Sequence, residues 1–125
     1  MAKSKTRYSD KELAEFKDLI NKKIKSARDE MKFYQEQIMK KTKEGETDYK
    51  YNGLEDGAAT MEKEYLSQMA ARQMQYISHL EKALMRIENK TYGVCRKSGI
   101  LISKQRLKAV PHATLSIEAK RAQSR

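Results

Sequence analysis

Tryptophan is absent from this 125-residue chain, cysteine and proline occur once each, and phenylalanine only twice. A single Cys excludes an intramolecular disulfide and suits a reducing compartment. Hydrophobic residues make up 38% of the chain against 35% charged, so the core must be small. No apolar run approaches the roughly 20 residues that span a bilayer. The basic start MAKSKTRYSDKEL has no apolar segment behind it, as a secretory signal would. The expected setting is the cytoplasm, with no membrane partner. There is no P-loop, no G-x-G-x-x-G, no pair of His at helical ligand spacing and no Ser/His/Asp set, and Cys95 has no identifiable activating partner. No enzyme is expected.

What the chain does have is charge, a net +10. That excess attracts nucleic acid, acidic protein surfaces or anionic small molecules, and by itself does not choose among them. The denser clusters (Lys40, Lys41 and Lys43; Lys104, Arg106 and Lys108; Lys120 and Arg121) are short and interspersed, as on solvated helix faces.

Ser9 to Glu12 forms an S-x-x-E capping box, in which a hydroxyl bonds a first-turn amide while a carboxylate reaches back. Behind it, Leu13, Phe16, Ile20, Ile24, Ala27, Met31, Tyr34 and Ile38 recur at steps of three and four, an a/d seam that predicts a helix over roughly 9–43. The stretch KEGETDYKYNGLEDG holds Gly45, Gly53 and Gly57 without helical period and reads as a tip, residues 45–57. A second seam runs through Leu66, Met69 or Ala70, Gln73, Ile77, Leu80, Leu84 and Ile87; polar Gln73 weakens the packing there, though one polar seam residue can fix register. Two long helices with narrow stripes bury them against each other. The expected fold is mainly α: a long antiparallel coiled-coil hairpin in which about 30 residues rise about 45 Å.

After Tyr92-Gly93, where Gly ends the second helix, the apolar run Ile100 to Ile102 and the group Arg106, Leu107 and Pro111 indicate two short strands or turns, and Ala113 to Gln123 a closing helix. Roughly 35 residues are too few for an independent core, so this base packs on the root of the hairpin. The expected organisation is an N-terminal segment 1–8, a hairpin 9–90 and a base 91–125.

The base has a further pattern. Cys95 and Ser98 stand two residues apart, and Ser116 and Ala119 repeat the spacing, so C-x-x-S and S-x-x-A occupy the frame of a four-thiolate zinc finger. With YGVCRKSG, RL-x-A-x-P, ATL and Lys120 at matching spacings, and with the YSDKEL start and the long hairpin, the chain resembles the DksA/TraR family of RNA polymerase-binding transcription factors, over nearly its whole length. The resemblance implies a factor that inserts its coiled coil into the secondary channel of RNA polymerase, brings acidic tip residues near the active centre, modulates initiation and, in many members, acts with guanosine tetraphosphate.

Carried over residue by residue, the family's tip pattern D-x-x-D-x-A meets Asp56 and Ala58, with Gly53 in place of the first Asp; a gapless count from Cys95 puts Asn52 and Glu55 at the acidic positions instead. For guanosine tetraphosphate, Arg72 and Lys120 match basic positions, and His79 falls where Lys is usual, which implies a weakened site. Structural zinc needs four ligands, usually thiolate or imidazole. Cys95, Ser98, Ser116 and Ala119 are therefore read as degenerate zinc positions in a degenerate zinc-finger-like module. His112 is expected at the surface and the module without zinc. The expected partner is RNA polymerase, bound by a monomer without direct sequence-specific DNA binding. The alternative is a basic coiled-coil nucleic-acid-binding or adaptor protein, for which affinity for bare duplex would fall steeply with salt.

Overall fold

The computed structural model describes residues 7–47 and 54–123, with side chains for all of these except residues 43–47, 54–56 and 59. Its elements are α1 (Asp10–Thr47), α2 (Leu54–Glu88), α3 (Lys104–Ala109) and α4 (Ile117–Gln123). The described residues contain no strand ladder; one antiparallel bridge joins Val94 to Leu101. None of these helices is long and apolar enough to cross a membrane. Both long helices extend into the predicted tip segment, α1 as far as Thr47 and α2 from Leu54.

The capping box that starts α1 forms as expected. The Glu12 amide donates to Ser9 Oγ at 3.2 Å, and the Ser9 amide donates to Glu12 Oε1 at 3.1 Å. Two orphan amides of the first turn are thereby satisfied.

The chain divides into two compact units. The first comprises Met1–Ile24 and Ser78–Arg125. Here Leu13, Phe16, Ile20 and Ile24 of α1 and Leu80, Ala83 and Ile87 of α2 are buried, and Lys17 reaches Glu88 at 3.8 Å across the antiparallel pair. The residues after α2 add Tyr92, Cys95, Ile102, Leu107, Ala113 and Leu115 to this core. Phe16 lies between two tyrosines, with ring centroids 5.5 Å from Tyr8 and 5.2 Å from Tyr92. Such tilted contacts add about 0.5–1.5 kcal/mol each beyond area burial. The Tyr8 hydroxyl donates to the Ile102 carbonyl, tying the segment before α1 to the end of the apolar run.

The second unit is Lys25–Ile77. Ala27, Leu66, Ala70 and Ile77 are its buried apolar residues, and Lys41 pairs with Glu62 at 3.1 Å, again with the helices antiparallel. Met31, Tyr34 and Ile38 of α1 and Met69 and Gln73 of α2 are only half-buried.

In the base, the expectation of two short strands or turns around 100–111 needs correcting. Residues Lys104–Ala109 are helical because Ser103, in extended conformation, caps them by accepting the Arg106 amide at 3.2 Å. The closing helix starts later than expected, at Ile117, and Leu115 is buried ahead of it.

Candidate functional site

The first unit brings the four finger-frame positions together. Gly93 (φ 77°) and Gly99 (φ 75°) take the left-handed backbone that lets the chain turn tightly at either end of the knuckle. The Cys95 amide donates to the Ile100 carbonyl and the Gly99 amide to the Cys95 carbonyl, each at 2.8 Å. The Ser98 amide points at Cys95 Sγ, 3.5 Å away. Across from it, Ser116 is buried and its Oγ accepts the Ala119 amide at 3.2 Å, starting α4. The Arg96 amide donates to the Thr114 carbonyl at 2.9 Å, joining the knuckle to the segment that leads into α4.

Cys95 is buried, which pushes its thiol up, but hydrogen bonds from the Ser98 side chain and from the amides of Ser116, Ser98 and Lys97 outweigh burial and lower it to about 6. A cage of donors around sulfur favours thiolate. As ligand atoms, the frame positions of this chain supply one thiolate, two hydroxyls and a methyl. This is not a four-ligand zinc set.

Around the knuckle, Arg106 Nε donates to the Leu115 carbonyl at 2.9 Å, and Arg86 Nη2 to the His112 carbonyl at 3.3 Å. His112, expected at the surface, is half-buried instead, because its ring stacks on His79 with centroids 5.4 Å apart and planes at 12°. Burial lowers its pKa, and the nearby His79 and Arg86 lower it further.

Of the residues singled out from the sequence, Asn52 lies outside the described residues, and Glu55 and Asp56 are in the first turn of α2 with side chains outside them. Ala58 is exposed on α2. Arg72 is exposed and belongs to the second unit, while His79 and the exposed Lys120 belong to the first. Tyr8, Arg86 and Tyr92, which fasten the base, were not picked out; the aromatic beside Gly93 was the one available signal for Tyr92.

Helices α1 and α2 with a small cysteine-bearing knuckle after them define a mainly α protein, and comparison with known proteins makes the class specific. Residues 90–125 match the family described as the prokaryotic dksA/traR C4-type zinc finger. A stretch of 54 residues is 43% identical to the RNA polymerase-binding transcription factor DksA of Caulobacter vibrioides, covering 43% of this chain and 38% of that protein. Another, of 43 residues, is 42% identical to general stress protein 16O of Bacillus subtilis, covering 34% of this chain and 26% of the relative. The chain thus spans well under half the length of these curated relatives. The structure of transcription factor DksA2 from Pseudomonas aeruginosa superposes with a TM-score of 0.79 at 20% identity, over 90% of this chain and 82% of the other, and so shares the fold. Residues 90–125 thus match the DksA/TraR zinc-finger family, and the fold is a mainly α coiled-coil hairpin with a small C-terminal module.

The match overturns one expectation. Absence of zinc was expected from the missing ligands, whereas residues 90–125 match a C4-type zinc-finger family, which points to zinc binding. The frame residues of this chain do not themselves make up a C4 set.

Proposed function

We propose that the chain is a transcription regulator that binds RNA polymerase. The observation that carries this reading is the 43% identity to a factor named for polymerase binding. It is supported by the hairpin fold shared with DksA2. In the finer form of the proposal, the hairpin enters the secondary channel and brings the residues at the start of α2, Glu55, Asp56 and Ala58, with Asn52 just before them, toward the active centre. The factor makes and breaks no bond. It acts by electrostatics at a site where another machine holds charge. Guanosine tetraphosphate would be contacted at the polymerase interface by Arg72 and Lys120, with His79 the weaker third position because neutral imidazole carries no charge. On this reading the chain acts as a monomer in the cytoplasm.

Recovery on the tagged full-length chain from bacterial extract tests the reading. Core polymerase subunits should be retained after nuclease treatment. Nucleic acid recovered without polymerase, or no polymerase at all, would refute it.

A further inference from the structure

The positive charge of this chain is segregated. Residues 90–123 hold eight Lys and Arg against a single acid, Glu118, so seven of the ten net positive charges sit in this short segment, while residues 1–89 are nearly balanced. A segment of this size has a radius of gyration of only about 8 Å, comparable to the Debye length of about 8 Å at physiological salt, so the charges feel one another and their field sums. Such self-repulsion works against folding, and the segment has a single acid of its own, Glu118, to offset it.

Not all of these cations are available. Lys90 is paired with Asp10 at 2.7 Å and Lys104 with Glu12 at 2.6 Å, and Arg106 is committed to the Leu115 carbonyl. Arg96, Lys97, Lys108 and Arg121 are exposed, and none makes an ion pair with another described residue. Arg96 and Lys97 sit on the outside of the knuckle turn, which is held against Thr114. Lys108 is in the last turn of α3, and Arg121 in the last turn of α4.

We propose that the exposed cations of this segment, Arg96, Lys97, Lys108 and Arg121, bind the phosphate backbone of duplex nucleic acid, independently of sequence. The chemistry of the segment favours this partner. The segment has no Trp or Phe, and its one Tyr, Tyr92, is fully buried, so it offers no exposed aromatic of the kind that anchors protein hot spots. The same lack of exposed aromatics argues against single strands, which are gripped by base stacking. Helices of six and seven residues offer no long recognition element for the major groove. Phosphate contacts need only cations and small polar donors, and Arg96, Lys97, Lys108 and Arg121 supply the cations. The inference concerns a different surface from the tip and does not depend on the polymerase reading. In a polymerase complex it would add a hold on nearby duplex.

The test is fluorescence anisotropy of the full-length chain with labelled duplexes of about 30 bp and unrelated sequence, between about 50 and 200 mM salt. Four neutralised phosphates predict a slope of log K against log salt of about −3.6, or roughly a 150-fold loss of affinity over that range. Different sequences should bind within about twofold, as backbone contact carries no sequence information. The quadruple variant Arg96→Gln, Lys97→Gln, Lys108→Gln, Arg121→Gln, checked for unchanged circular dichroism, should lose most of the slope. Each pair of substitutions should remove about half, so the reading survives if the quadruple variant misfolds. A wild-type slope shallower than about −1, variants that bind like wild type, or tighter binding to polyglutamate or to anionic vesicles than to duplex at equal charge would overturn it. None of these measurements contains polymerase, so failure of the polymerase reading leaves them intact.

Discussion

The Tyr92 hydroxyl donates to the Pro111 carbonyl at 2.8 Å, and both residues are fully buried. This bond anchors the loop between α3 and α4 to the turn after α2, where Tyr92 also packs against the ring of Phe16. Burial raises the Tyr92 phenol above its usual range, so it stays a donor. Tyr92→Phe keeps the ring and strands the Pro111 carbonyl, and should cost about 1–3 kcal/mol. Thermal denaturation should show a lower midpoint with little change in helical signal, since the long helices do not use the bond.

Gly93 and Gly99 share a left-handed backbone but differ in surroundings. A Cβ at Gly93 would fall 2.6 and 2.7 Å from two carbons of the Tyr8 ring and 3.1 Å from Leu107 Cδ1, whereas at Gly99 nothing lies within 4 Å. Gly99→Ala should therefore cost only the backbone term, about 1 kcal/mol, while Gly93→Ala adds an overpacking cost of about 1–3 kcal/mol. Urea unfolding of the two variants measures the difference, and equal losses would mean that Tyr8 does not pack there.

These anchors show where sequence reading stops. The seams of α1 and α2 were legible because Leu13 to Ile38 and Leu66 to Ile87 repeat at helical steps, and because Ser9 and Glu12 announce the start. Ala83 was passed over for the larger Leu84, although the small residue is the buried one. α3 was misread because six residues are under two turns, too few to display a period, and its signal was the cap Ser103 alone. His112 was assigned to the surface because its partner His79 is distant in the chain, and stacking between remote residues leaves no local pattern. Zinc was judged from ligand atoms one by one, whereas the family match weighs residues 90–125 together. The acidic tip lies at or beyond the limits of the described side chains, so its residues rest on the resemblance.

Glu12 links the start of α1 to α3 by accepting from Lys104 Nζ at 2.6 Å. Lys104 first, and then the Ser9 amide and hydroxyl, hold its carboxyl at about 2 rather than the ordinary 4.5. A carboxyl depressed by folding contributes stability that is fully present above its unfolded value and is lost as pH falls through the folded one. Acid titration should show this loss beginning below about pH 4.5 and continuing to about 2. Glu12→Gln should be less stable than wild type at neutral pH and should lack this component of the acid transition.

The His79–His112 stack gives a second pH dependence at a higher range. Burial, then His79, then Arg86 lower the His112 pKa from 6.5. As pH falls through 6.5, the unfolded chain takes up that proton before the folded one, so stability declines, the sign expected of a base held neutral by folding. His79→Gln removes one of the neighbours that disfavour the imidazolium, and the His112 pKa should rise while burial and Arg86 keep it below its free value. Titration of the imidazole resonances by NMR, with unfolding free energies across the same range, should show the shift together with a shallower pH slope. An unchanged His112 titration would mean that the two rings do not face each other in solution.

On the polymerase reading, Asp56 carries the negative charge that reaches the active centre. Asp56→Asn removes that charge at nearly constant volume, at a position in the first turn of α2, within the second unit. Losing a negative charge near a helix N-terminus costs about 0.3–1 kcal/mol, too little to unfold the chain. Transcription assays should therefore lose most of the factor's effect on initiation while binding to polymerase stays within about twofold, a change of under about 0.5 kcal/mol. Glu55→Gln separates the two alignments of the tip: if the gapless count from Cys95 is right, it is this variant that loses the effect. Equal loss of binding and effect in the Asp56 variant would mean that the tip holds the factor on the enzyme rather than acting on its active centre.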